Sequence, residues 1–154
     1  MKVFNHYSTL FLALSILLLC TSFAPIEEKA DAKIEWITLE ELQTKMESEP
    51  RKVLIDSYAS WCGWCKVMDK TTFSEKKVVE YVNENYYAVK LDTESEELIN
   101  FKGKEMTKQE LAIKFGIRDL PTFLLMDDEL IIKEVVRGYK KSKPFLKILS
   151  KFNS

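Results

Sequence analysis

Histidine is almost absent from this chain of 154 residues. The only one is His6, which lies in an N-terminal segment that we expect to be removed. A mature chain would then contain no histidine at all. This excludes catalysis by a Cys–His pair and any metal site that needs an imidazole ligand.

An excess of charge is also missing. The chain has 23 Lys and Arg residues against 24 Asp and Glu residues. This balance gives no reason to expect nucleic acid or an anionic membrane as a partner. The length, roughly 130 residues after removal of the N-terminal segment, suits one domain with a real core.

Residues 1–24 have the pattern of a secretory signal peptide. The segment begins with a positive Lys2, continues with an apolar run and ends with small residues at Ala24, where we expect cleavage. Pro25 directly after this point is unfavourable, and a second pair of small residues at 30–32 offers another, poorly placed site. The chain is therefore expected to be exported, either secreted or periplasmic, where disulfides persist.

Two forms of membrane attachment stay open as alternatives. Cys20 lies after a run of leucines and could carry a lipid, although the residue just before it is not small. The N-terminal segment could also remain uncleaved and act as an anchor. Residues 25–33, which follow, are polar and are predicted to form a tether.

The stretch from Val53 to Lys66, VLIDSYASWCGWCK, places two cysteines after an apolar strand and a short turn. If a helix begins at Cys62, the Cys62 sulfur lies at a helix N-terminus, where unpaired N–H groups and the helix dipole favour a thiolate. A thiolate is the nucleophile of thiol–disulfide exchange, and Cys65 is placed to attack a mixed disulfide formed on Cys62. We expect Cys62 to be the exposed thiol with the depressed pKa, and Cys65 to be covered.

Asp56 interrupts the apolar strand before the cysteines. On the residues alone it is either a carboxylate at the end of the strand that faces solvent, or a buried acid beside the cysteine turn.

Three features together resemble the thioredoxin-like thiol–disulfide oxidoreductases. They are the WCGWCK motif at 61–66, Asp56 six positions before the first cysteine, and the segment FGIRDLPTF at 115–123, whose Leu-Pro-Thr is similar to the family's cis-proline loop. The resemblance covers residues 34–152. It implies an α/β thioredoxin fold, with a central mixed β-sheet flanked by helices, in a domain at 34–154.

The resemblance also implies a role for Asp56. In the family, the acid at this place is buried behind the second cysteine, and burial raises its pKa so that it can take and return the proton of Cys65. Lys90 is a candidate charge partner. The segment Lys90-Leu91-Asp92 can be aligned with the family in two ways, so this pairing stays open.

The same resemblance implies how a substrate is held. The Leu120–Pro121 bond is expected to be cis, which would turn the Leu120 backbone towards the first cysteine, where an extended substrate could pair with it. Trp61 and Trp64 flank the cysteines and are expected to form an exposed contact surface.

The remaining pattern alternates strands with helices. Capping boxes predict helices after Thr38 and Thr107, and Gly116 is expected to end the second. The last helix is predicted to start at Ser142. Further strands are predicted at 34–37, 86–91, 123–126 and 130–136, the last two forming a hairpin through Asp127 and Asp128.

The segment 93–106 is predicted to be an insertion before the cis-proline loop. The chain between Asp92 and Pro121 is about a dozen residues longer than the smallest family members need. Residues 99–106 alternate in character around Gly103, which is typical of a small hairpin. An exposed loop without a role is the alternative.

The functional hypothesis is an exported enzyme that reduces or exchanges disulfides of protein substrates through Cys62 and Cys65. We expect no cofactor, no metal and no nucleic acid, and a thiol donor or acceptor that the sequence does not identify. The alternative is a non-catalytic module that binds a soft metal or unfolded chains. In the family that the chain resembles, proline between the cysteines is typical of reductants and histidine of oxidants or isomerases; Gly63 and Trp64 match neither, so the direction of the reaction stays open. The lack of a charged residue or histidine between the cysteines favours a reductase or a general exchange activity.

Overall fold

The computed structural model describes residues 33–154, which form one layered α/β unit. The strands are β1 (Trp36–Ile37), β2 (Val53–Tyr58), β3 (Tyr87–Asp92), β4 (Leu98–Phe101), β5 (Lys104–Thr107), β6 (Thr122–Met126) and β7 (Ile132–Arg137). The helices are α1 (Leu39–Ser48), α2 (Gly63–Thr71), α3 (Lys76–Asn85), α4 (Lys108–Lys114) and α5 (Ser142–Asn153).

Strand β2 lies at the centre of a five-stranded sheet. The strand order is β1-β3-β2-β6-β7. Strands β1, β3 and β2 run parallel, whereas β6 is antiparallel to β2 and β7 is antiparallel to β6. Val53, Leu54 and Ile55 are fully buried, as expected for a strand covered on both faces. The predicted mixed sheet flanked by helices is therefore confirmed.

The two faces of β2 belong to two different cores. Val53 and Ile55 pack into the core that contains residues of α1, α4 and the β4–β5 hairpin. Leu54 packs into the other core, with residues of α2, α3 and α5 such as Met68. Because alternate residues of a strand point to the same face, Asp56 lies on the Leu54 side of the sheet, towards α2.

Both predicted capping boxes are confirmed. The side chain of Thr38 accepts from the backbone of Glu41, whose carboxylate accepts from Thr38 N–H in return, at the start of α1. Thr107 and Glu110 make the same reciprocal pair at the start of α4. Each box satisfies donors that a helix leaves unpaired at its first turn.

The predicted hairpin in the 93–106 insertion is also confirmed, as strands β4 and β5. Lys102 and Gly103 both have positive φ, the backbone of a tight two-residue hairpin turn. Ile99 and Phe101 are buried in the core, so the alternative of an exposed loop without a role is wrong. Gln43 of α1 fastens the hairpin, because its amide donates to Asn100 C=O at 2.7 Å and accepts from Lys102 N–H at 2.7 Å.

Three predicted element boundaries are wrong by a few residues. The first strand is only Trp36–Ile37. Tyr86 caps α3 rather than starting β3, and its hydroxyl donates to Leu149 C=O. The last strand begins at Ile132 because Asp127 accepts from the backbone N–H groups of Glu129 and Ile131, which holds the intervening residues in a loop.

The predicted signal segment 1–24, with Cys20, and the part of the predicted tether at 25–32 lie outside the described residues. Within 33–154, no helix is both long enough and apolar enough to cross a membrane.

Candidate active site

The two cysteines lie where β2 gives way to α2. Cys62 is the N-cap of α2, and it forms a disulfide with Cys65, with the two Cα atoms 5.3 Å apart. The backbone N–H of Cys65 donates to the Sγ atom of Cys62, with 3.2 Å between nitrogen and sulfur. The Cys62 sulfur therefore occupies the helix terminus and accepts one of its otherwise unpaired N–H groups, an arrangement that stabilises negative charge on sulfur.

The structure holds the disulfide, in which the two cysteines do not differ in exposure as we expect of the two thiols; for the dithiol the difference stays a prediction. Cys62 is 3% exposed and Cys65 is 5% exposed. In a disulfide the two sulfurs are bonded to each other and share one covered position. What distinguishes Cys62 in this structure is its place at the helix terminus, not its exposure.

Asp56 is a buried acid, 2% exposed. Burial raises its pKa from 3.8 to about 6, against the opposing effects of the charge and hydrogen bond of Lys90, while the Asp69 charge raises it further. The alternative of a carboxylate that faces solvent is therefore wrong. An acid with a pKa near 6 can both accept and return a proton close to neutral pH.

Lys90 is the charge partner of Asp56, which resolves the open alignment. The two residues lie side by side in the parallel pairing of β2 with β3, and Lys90 Nζ is 3.0 Å from Asp56 Oδ2. The same nitrogen is 2.6 Å from Oδ1 of Asp69 on α2. Burial lowers the pKa of Lys90, but the charge of Asp56 and the hydrogen bonds to both carboxylates outweigh it, so the pKa lies above its usual value.

The Asp69 contact relates this charge cluster to the cysteine helix. Asp69 follows Cys65 by four residues in α2, and residues at this spacing lie on one face of a helix. Lys90 contacts both Asp69 and Asp56. The face of α2 that carries Cys65 is therefore turned towards the buried acid on β2.

The cis-proline loop lies beside the same end of β2. The Leu120–Pro121 peptide bond is cis, as expected. Ser57, close to the end of β2, pairs with Thr122, the first residue of β6, so the loop before β6 adjoins the turn that leads to Cys62. Pro121 is buried and its carbonyl accepts from Gly138 N–H at 2.8 Å. Leu120 is half-buried.

Trp61 and Trp64 are 66% and 60% exposed. Trp61 donates its indole N–H to Glu94 Oε1 at 2.7 Å, and Trp64 packs on the Tyr139 ring with 5.1 Å between ring centroids. A groove of about 430 Å³ runs beside Trp61, and its lining includes Glu94, Ile113, Arg118 and Leu120. The role of Trp61 and Trp64 in substrate contact stays a prediction.

Sequence reasoning missed three residues at this site: Asp69, Glu94 and Tyr139. Only Asp69 had a usable signal, since an acid four residues after Cys65 in a helix must share its face. Glu94 and Tyr139 reach the two tryptophans from loops that are distant in sequence, and nothing in their local pattern indicates it. Among residues 33–154, no group of three or more His, Cys, Asp or Glu could hold a metal ion.

Comparison with known proteins agrees with this geometry. The model of the thioredoxin-like domain family matches residues 39–153. The chain is 32% identical over 108 residues to chloroplastic thioredoxin Y2 of Arabidopsis thaliana, which covers 70% of this chain and 54% of that protein. It is 30% identical over 116 residues to the thiol:disulfide interchange protein DsbD of Actinobacillus pleuropneumoniae, which covers 73% of this chain and 18% of that protein. The chain thus spans about half the length of the thioredoxin and less than a fifth of the length of DsbD.

Solved structures show the same fold. A thioredoxin-fold protein from Helicobacter pylori superposes with a TM-score of 0.64 at 21% identity, covering 68% of this chain and 70% of that one. A thioredoxin from Thermus thermophilus gives a TM-score of 0.64 at 18% identity, covering 78% and 87%. With its Cys-x-x-Cys disulfide and its family match over most of its length, the chain belongs to the thioredoxin-like domain family.

Proposed function

We propose that this protein is an exported thiol–disulfide oxidoreductase that reduces or exchanges disulfides in protein substrates. The observation that carries the proposal is the disulfide between Cys62 and Cys65 at the N-terminus of α2. A disulfide at this place is one of the two end states of such a reaction. The dithiol is the other.

The reaction starts from the dithiol. The Cys62 thiolate attacks one sulfur of a substrate disulfide, forming a mixed disulfide and releasing the other substrate sulfur as a thiolate. The Cys65 thiolate then attacks the Cys62 sulfur, which forms the Cys62–Cys65 disulfide and releases the second substrate thiolate. Two electrons pass from the protein dithiol to the substrate. A thiol donor returns the protein to the dithiol by the same steps in reverse.

Asp56 handles the proton of the resolving step. Cys65 must lose its proton before it attacks, and the face of α2 that carries Cys65 is turned towards Asp56 through the Lys90 and Asp69 contacts. With a pKa of about 6, Asp56 is mostly ionised at neutral pH and can accept a proton there. It is also a stronger base than an ordinary exposed aspartate. Asp56 therefore takes the proton of Cys65 and later returns it.

Substrate docking is assigned to the surface around the disulfide. The exposed rings of Trp61 and Trp64 offer apolar area on either side of Cys62. The backbone around Leu120 and Pro121 can pair with an extended substrate segment in the manner of an added strand. The groove beside Trp61 would receive the substrate residues next to the reacting sulfur.

Export and partners complete the proposal. Residues 1–24 would direct the chain to a secreted or periplasmic location, with membrane attachment only if Cys20 is lipidated or the segment is retained. Thioredoxin-like proteins act on protein thiols and disulfides together with thiol partners. The partners of this chain would be exported proteins with disulfides and a thiol donor.

The test is reduction of insulin disulfides in the presence of a thiol donor, with Cys62→Ser as the matched control. Catalysis predicts a rate above that of the donor alone and proportional to protein concentration, and Cys62→Ser should abolish it. No rate above the donor would refute the proposal and favour a non-catalytic binding module. The reduction potential, measured against glutathione, then decides whether the protein acts mainly as a reductant.

A further inference from the structure

Lys90 is shared between a buried carboxylate and an accessible one. Its ammonium lies 3.0 Å from Asp56 Oδ2 and 2.6 Å from Asp69 Oδ1. The Asp56 side chain is 3% exposed, whereas the Asp69 side chain is 44% exposed. The shorter of the two contacts is therefore the one to the outer carboxylate, which water also solvates.

Aromatic rings surround the same ammonium. Lys90 Nζ lies 4.8 Å from the centroid of the Trp36 ring, 5.2 Å from that of Tyr58 and 5.9 Å from that of Phe73. Such rings attract a cation through their faces. They also fill space around the lysine, so the position of its charge is set by the two carboxylates within a restricted volume.

We propose that Asp69 is a positioning residue for the exchange reaction, holding Lys90 partly away from Asp56 so that the buried acid keeps only a share of its counter-ion and remains able to exchange a proton with Cys65. This inference rests on the function proposed above. Asp69 does not touch the reacting sulfurs in this scheme and acts only through Lys90 and Asp56.

The physical reason is a balance at Asp56. Burial alone would keep this acid protonated, and an undivided lysine would keep it ionised. An acid held firmly in either form is a poor proton acceptor and donor near neutral pH, because the efficient catalytic group is the one that titrates there. Division of Lys90 between two carboxylates places Asp56 between these extremes.

The charged groups around Asp56 fix the direction of the expected change. Lys90 on β3 favours its ionised form, and Asp69 on α2 disfavours it. The phenol of Tyr58 on β2 faces the ammonium through its ring, and Cys65 adds a thiol only in the reduced protein. Asp69→Asn removes a like charge, and its neutral amide oxygen holds the Lys90 ammonium less strongly than a carboxylate does, which leaves Lys90 more to Asp56. Both effects lower the pKa of Asp56.

The direct test follows the Asp56 carboxyl by 13C NMR in the oxidised protein, where the cysteines do not titrate. The Asp56 signal is assigned by its loss in Asp56→Asn. In Asp69→Asn the midpoint should move to lower pH by about half a unit or more, since both carboxylates touch one nitrogen and lie within about 6 Å of each other. Asp69→Glu, which keeps the charge, should restore most of the wild-type midpoint.

A matched control separates this local effect from net charge. Glu47 is an exposed acid on α1, and Glu47→Gln removes the same charge from another helix. Its Asp56 midpoint should equal that of the wild type. An unchanged midpoint in Asp69→Asn, an upward shift, or an equal shift in Glu47→Gln would overturn the inference. So would a lowered thermal stability of Asp69→Asn with no change of the midpoint, which is the result of a purely structural ion pair.

The reaction supplies the second readout. The rate at which Cys65 resolves a mixed disulfide on Cys62 should rise with pH at a lower midpoint in Asp69→Asn than in the wild type, in parallel with the NMR titration. If the wild type reduces insulin but neither midpoint moves, the positioning role is wrong and the proposed function stands. If the wild type shows no exchange at all, the proposed function fails first, and the role assigned to Asp69 fails with it.

Discussion

Replacing the buried acid by its neutral isostere should stabilise the protein in a pH-dependent way. Burial raises the pKa of Asp56 from 3.8 to about 6 in the folded protein. Below pH 3.8 the group is protonated in both the folded and the unfolded state and has no net effect. Between these two values the unfolded chain ionises while the folded one does not, so the free energy of unfolding falls as pH rises. Above pH 6 the whole penalty is present.

The size of this penalty follows from the gap between the two pKa values. A gap of roughly two units corresponds to about 3 kcal/mol, since one unit is worth about 1.4 kcal/mol. Asp56→Asn carries no such penalty. The variant should therefore match the wild type within about 1 kcal/mol near pH 3.5 and exceed it by about 3 kcal/mol at pH 8. This gain already allows for the loss of the Lys90 ion pair, because the folded pKa of about 6 includes the opposing charge and hydrogen bond of Lys90.

Urea unfolding of the oxidised protein, without reductant, measures this difference at pH 3.5, 5, 6.5 and 8. Glu47→Gln serves as the control for removing an exposed acid, and its difference from wild type should stay nearly constant over this range. A constant difference for Asp56→Asn would refute the reasoning, because it would mean that the pKa of Asp56 is the same in both states. The reasoning would also be refuted if the stability of Asp56→Asn relative to the wild type fell as pH rises.

Three further predictions concern other parts of the site and the fold. Lys90→Met removes the charge and the hydrogen bond that lower the pKa of Asp56, so the NMR midpoint of Asp56 should move to higher pH; a downward shift would contradict the ion pair. Cys65→Ser should accumulate mixed disulfides through Cys62 and Cys62→Ser almost none, as seen on non-reducing gels with mass spectrometry; equal trapping by both would overturn the assigned order of attack. Gln43→Ala loses three hydrogen bonds, to Leu39, Asn100 and Lys102, and should lower the free energy of unfolding by about 1–3 kcal/mol in urea; no measurable change would mean that the hairpin does not depend on this clamp.

The features that could be predicted from sequence are those encoded within a few consecutive residues. The helix start at Cys62, the capping boxes at Thr38 and Thr107 and the turn at Gly103 each depend on side chains that act on their own backbone neighbours. The cis bond before Pro121 was expected for another reason, the resemblance of the Leu-Pro-Thr segment to the family's cis-proline loop. Local chemistry of this sort leaves a recognisable pattern in sequence.

What could not be predicted depends on how distant segments come together. The pairing of Lys90 with Asp56 required the register of β3 against β2, and a shift by one residue would turn Lys90 to the other face of the sheet. The connection of Asp69 to Asp56 depends on Lys90, whose side chain contacts both carboxylates. The sequence also does not indicate that both cysteines are covered in the disulfide, because the burial of Cys62 depends on how the segments around it pack.

The docking of the β4–β5 hairpin carries a consequence for sequence divergence. Gln43 binds it only through backbone groups, and Ile99 and Phe101 supply its buried side chains. Asn100 and Glu105 form an exposed cross-strand pair, so packing in the core does not restrict their side chains. Among descendants of this chain we therefore expect rapid substitution at these two exposed positions, and slow, correlated substitution at the three that hold the hairpin in place.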